Sequence, residues 1–103
     1  MKYKIVTQDE AKQDVLGIRT KISYHSLQGA ENVIIHIVES TRNLALFPKM
    51  GVSLRNKFGV DTDARMLIHT KYPYITIYKV VESEIQILRV LPAKSDYMKT
   101  LGF

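Results

Sequence analysis

The sequence predicts an α+β fold: an N-terminal strand, a two-helix antiparallel hairpin, then a mainly antiparallel sheet packed on the hairpin. Three observations carry this. Two apolar stripes at helical spacing lie within residues 11–45, alternating β-branched and aromatic residues fill 74–91, and a short alternating segment opens the chain at 2–7. A hairpin of two helices cannot bury both stripes against itself, so the strands must supply a second layer.

Along residues 2–7, Tyr3 and Ile5 share one face of a short strand. Thr7 and Glu10 have the spacing of a capping box, which places a helix start there. Ala11, Val15, Ile18 and Ile22 then form one helical stripe that fades at Tyr24–Ser26. Gly29 is expected in the connection. Ala30, Val33, Ile34, Ile37, Val38, Thr41, Leu44 and Ala45 trace the second stripe, which Pro48 closes. Residues 52–63 read as an irregular strand or loop leading to a strand at Arg65–Thr70. Tyr74–Val81 is apolar on both faces and belongs in the middle of the sheet; Glu82–Ser83 turns the chain, and Glu84–Leu91 returns.

With 103 residues, 46% hydrophobic and 24% charged, the chain has the composition of an ordinary globular protein, and one domain spanning 1–103 is expected. There is no cysteine, so disulfides, thiolate metal ligands and a cysteine nucleophile are excluded, and a reducing, cytoplasmic setting is the expectation. No apolar run has the length of a signal peptide or membrane span. The net charge of +5 is uneven: residues 1–48 hold six Lys/Arg and five Asp/Glu, residues 49–103 nine and five. A basic strand-rich half can meet either phosphates or an acidic protein segment.

Phosphate-loop, dinucleotide and zinc-protease motifs are absent, so no cofactor is expected. His25, His36 and His69 fall on three elements without metal-ligand spacing, so no metal site is expected either. Arg65, His69 and Lys71 cluster in and just after one strand, where they face either an anion or, as alternating residues of an edge strand, solvent.

The element order, the phrase Leu44-Ala-Leu-Phe-Pro-Lys-Met-Gly51 and the Tyr74-x-x-x-Tyr78 strand together resemble the RelE/ParE superfamily of bacterial toxins, over nearly the whole chain. The resemblance implies the toxin of a type II toxin–antitoxin pair, a cognate antitoxin as partner, no membrane, and operator DNA only through the antitoxin complex. It is closest to the ParE branch, whose members generally poison DNA gyrase. The competing implications are a RelE-like, ribosome-dependent mRNA endonuclease and an inactive relative that only binds antitoxin.

Metal-free RNA cleavage needs a base, an acid and cations around the phosphate. In a RelE-like reading Arg65, His69, Lys94 and Tyr97 would fill these roles, with Lys94 matching the phosphate-holding residue after the final strand. The tail has no histidine, Pro92 stands where many ParE-like members have His, Lys94 where they have Arg, and Lys21 where the family often carries an apolar residue. The resemblance implicates the end of the final strand and the tail in target binding, here Arg89, Lys94, Asp96, Tyr97, Lys99 and Phe103, and the basic residues Arg65 and Lys71 join them as candidates. Two readings of the tail stand side by side: Leu101 and Phe103 fold back to cap the core, or Tyr97 and Phe103 anchor on the target while Lys94 and Lys99 steer the encounter.

Overall fold

A computed structural model describes residues 2–103. The elements are β1 (Lys4–Thr7), α1 (Asp9–Ser23), α2 (Leu27–Arg42), a 3-10 turn (Asn43–Ala45), β2 (Val52–Ser53), α3 (Leu54–Phe58), β3 (Arg65–Ile68), β4 (Tyr74–Val81), β5 (Glu84–Pro92) and α4 (Tyr97–Thr100). The five strands form one sheet in the order β1-β5-β4-β3-β2. β4 is the middle strand, as its two apolar faces require. Only β1 runs parallel to its neighbour, pairing with β5 from Lys4–Glu84 to Thr7–Ile87.

Four local expectations are corrected. Thr7 caps no helix, because it is still paired with Ile87 and the next amide, Gln8, donates to the Ile87 carbonyl; α1 begins at Asp9 without a side-chain cap. Gly29 is not in the connection but in the first turn of α2, where its amide donates to the Ser26 hydroxyl, leaving a link of only Tyr24–Ser26. Residues 52–63 are not irregular throughout: Val52–Ser53 pairs with Arg65–Met66, and Ser53 caps α3, which Gly59 ends at φ 70. The third strand stops at Ile68 rather than Thr70.

The sheet separates two apolar clusters. Ala11 and Ile18 of α1, Val33 and Ile37 of α2, and Leu44 pack with Leu67, Tyr78, Ile85, Ile87 and Val90 on one face. On the other, Met66, Ile75, Ile77 and Leu91 pack with Leu54 and Ala64, and Leu88, Tyr97 and Leu101 join them. Alternation along β3 and β4 divides the two sets, so Leu67 and Tyr78 face the hairpin while Met66 and Ile77 face away. The register between β4 and β5 shifts at Ile77/Tyr78, a bulge that leaves Leu88 on the second cluster.

Candidate functional site

The Leu44–Gly51 phrase forms a loop pinned from beneath by two residues of the sheet. Tyr78 is fully buried; its hydroxyl donates to the Pro48 carbonyl and accepts from the Gly51 amide, both at 2.9 Å. Arg65 reaches the same loop, donating to the Gly51 carbonyl at 2.8 Å and, more weakly, to the Lys49 carbonyl at 3.5 Å. Burial raises the Tyr78 pKa, with the Gly51 hydrogen bond and the Arg65 charge pulling the other way. Arg65 is therefore engaged with backbone carbonyls.

Arg89 is likewise engaged. Its guanidinium makes a two-pronged pair with Asp14 at 2.7 and 3.0 Å, with Glu10 3.6 Å away, and the Asp14 hydrogen bond raises its pKa further. Asp14 also accepts from the Val90 amide at 2.9 Å. The reason is topological: β1 ends at Thr7, so the β5 amides beyond Ile87 lose a strand partner, and a carboxylate one turn into α1 takes its place. The sequence showed Asp14 as a polar helix residue with nothing to mark this partner.

His69 is 4% exposed, which overturns its reading as a solvent-facing edge residue: β3 lies between β2 and β4, and His69 turns inward. Its Nε2 is 2.7 Å from the Thr76 hydroxyl, its ring stands edge-on to His36 at 5.8 Å between centroids, and His36 stands edge-on to Tyr72 at 5.3 Å. Burial first, then His36, lower its pKa to about 4, so at neutral pH it is an uncharged packed ring. Lys71 lies in the exposed turn beyond, its ammonium 5.8 Å from the Tyr72 ring, and does not join Arg65 and His69 around one point.

The tail forms α4, its start capped by Asp96, whose carboxylate accepts from the Lys99 amide. Tyr97 packs edge-on to Phe58 at 6.2 Å and, with Leu101, onto the second cluster. Lys94, Lys99 and Phe103 are exposed. Arg65 and His69 thus project on the hairpin face, as Tyr78 does, while Tyr97 sits on the opposite face. Along the strands, Arg65 pairs with Tyr78 and Pro92 with Tyr74, a separation of roughly 13 Å at ~3.3 Å per residue before Lys94 is reached. The sheet thus separates Arg65 from the Lys94 end of β5 along the strands, and Tyr97 from Arg65 and His69 across its two faces.

Between the hairpin and the β1 edge lies an apolar groove of about 240 Å³, lined by Ile5, Val15, Ile37, Val38 and Ile87, with Thr41 and Arg42 at one side. Val38 belongs to the second stripe yet is 42% exposed, because α2 overhangs the sheet without meeting it along its full length. Among the described residues no group of three or more His, Asp or Glu could hold a metal ion. Nor, among the described residues, is any helix long and apolar enough to cross a membrane.

The strand, helical hairpin and mostly antiparallel sheet agree with the architecture expected of a RelE/ParE-like toxin. The family model described as "ParE toxin of type II toxin-antitoxin system, parDE" matches residues 5–97, and the chain belongs to that family. Among solved structures, the chain is similar to one titled "Chromosomal ParDE TA system from P. aeruginosa", with TM-score 0.75 and 22% identity over 89% of this chain and 97% of that one. No curated protein sequence matches.

Proposed function

We propose that the chain is a growth-arresting toxin of the cytoplasm that acts on a protein, DNA gyrase, and is neutralised by an antitoxin encoded beside it. The observation that carries the choice of a protein target is the dispersal of the nuclease candidates: Arg65 holds loop carbonyls, His69 is buried and neutral, and Tyr97 lies across the sheet from both. An acid, a base and a phosphate clamp need to meet within hydrogen-bond reach of one bond, and these side chains do not. The purified chain, added in parallel to a supercoiling reaction and to a translation extract read by primer extension, should block the first and leave mRNA uncut. Ribosome-dependent cuts that vanish in Lys94→Ala would reverse the assignment.

The antitoxin reading is supported by the groove between hairpin and β1. Its apolar lining suits the apolar face of an amphipathic segment, and the +5 charge of the chain suits an acidic one that orders on binding. Co-expression with the neighbouring gene should yield a complex, and Val38→Glu should weaken it. If the chain remains alone and monodisperse, this reading fails.

A further inference from the structure

We infer that the Leu46–Met50 loop is the surface with which the chain grips its protein target, and that it fits an apolar site edged by carboxylates. The inference rests on the proposed action on a protein and names the contact for it. In five residues the loop holds out Leu46 and Phe47, each 61% exposed, and Met50, 45% exposed, around an open hollow floored by Pro48 and Lys49. The core makes no use of these three side chains: Leu44 and Ala45, just before them, are the buried ones. What the fold uses is the loop backbone, at Pro48, Lys49 and Gly51.

That backbone is held with unusual firmness for a surface turn. The buried Tyr78 hydroxyl bridges Pro48 and Gly51, Arg65 holds Gly51 from the other side, and Met50 closes a turn onto the Phe47 carbonyl. A rigid display of an aromatic and two aliphatic side chains lowers the ordering cost of association, and such anchors concentrate interface energy.

Charge selects the occupant. The lining of the hollow carries one charge, the ammonium of Lys49, and no carboxylate. A second copy of the chain would bring Lys49 against its own kind, which costs affinity; a nucleic acid would leave the apolar anchors without a match. An acidic rim around an apolar socket satisfies both. None of the hollow's lining residues lines the groove proposed for the antitoxin, so the two contacts use different side chains.

The test is the double variant Leu46→Ser/Phe47→Ser beside Lys49→Glu, each compared with the unmodified chain in growth arrest, gyrase supercoiling, thermal melting and antitoxin co-purification. The double variant should melt with the unmodified chain and still bind antitoxin, while growth arrest disappears and the concentration that halves supercoiling rises by at least ~30-fold, as loss of a two-residue hot spot implies. Lys49→Glu should weaken inhibition by roughly threefold to tenfold, more at low salt, because it acts on encounter. Undiminished toxicity of the double variant overturns the inference. So does a large drop in its melting temperature, which would put the two side chains in the core, or a loss confined to concentration-dependent self-association. If the unmodified chain arrests growth but leaves gyrase untouched, only the gyrase assignment fails and growth arrest decides the surface. If it arrests nothing, the toxin reading fails and the surface with it.

Discussion

The Tyr78 hydroxyl lies where a side chain on residue 51 would begin: a Cβ built on Gly51 would stand 2.6 Å from that oxygen and 2.7 Å from the adjacent ring carbon, with the Met66 carbonyl 3.0 Å away. The glycine is required by close approach, since the loop backbone must come within hydrogen-bond distance of a buried phenol. Gly51→Ala should therefore displace the phenol, break its bonds to Pro48 and Gly51 and cost several kcal/mol, whereas Tyr78→Phe keeps the packing and leaves two backbone groups unpaired, costing about 1–3 kcal/mol. Urea unfolding of both variants checks the order. Gly51→Ala as stable as the unmodified chain would show that the loop shifts at no cost.

Asp14 should be worth more than an ordinary helix-surface carboxylate. Asp14→Ala leaves the Arg89 guanidinium and the Val90 amide without their partner in a site where both side chains of the pair are mostly buried, at 15% and 23% exposure. The expected loss is roughly 1–3 kcal/mol. Because Glu10 lies at longer range and is 80% exposed, Glu10→Ala should be nearly silent. Equal effects from the two substitutions in thermal melting would contradict this division of labour.

His69 gives the fold a defined acid sensitivity. Its folded pKa of about 4 lies below the ordinary 6.5, so between these values the unfolded chain binds the extra proton and the folded one does not. Stability from this group is complete above pH 6.5, declines as the pH falls, and is gone below about 4; at 1.36 kcal/mol per unit the full shift corresponds to about 3.4 kcal/mol as an upper bound. His69→Gln, which can keep the bond to Thr76, should lower stability at neutral pH by a small amount and flatten the slope between pH 6.5 and 4 relative to the unmodified chain. Parallel slopes in the two proteins would mean that His69 is protonated in the folded state.

The C-terminal tail divides within itself. Tyr97 and Leu101 pack on the second cluster, so truncation after Asp96 should lower the melting temperature, by about 4–8 °C for each kcal/mol removed from a chain of this size. Phe103→Ala and Lys99→Ala remove exposed side chains and should leave melting unchanged. A truncated chain that melts with the full one would return Tyr97 and Leu101 to the surface.

Legible without the fold were the order of β1, α1, α2, β3, β4 and β5 and the face that most of them bury, because helical and strand periodicities are local and survive without knowledge of neighbours; the short α3 and α4 carry too few residues to show a helical period. The stripe from Ala11 to Ile22, the double-faced β4 and the turn at Glu82–Ser83 all stand as read. Boundaries shifted wherever a partner distant in sequence claimed a group that local chemistry had assigned elsewhere: Thr7 paired with Ile87 instead of capping α1. The fate of the charged and titratable residues was decided wholly by tertiary structure. Arg89 met Asp14, 75 positions away, Arg65 met the Gly51 carbonyl, and His69 turned under α2 against His36. A side chain's type states what it can bind, but whether it is free to do so depends on which buried donors and acceptors the fold leaves unmatched beside it, and that is a property of packing with no trace in local spacing.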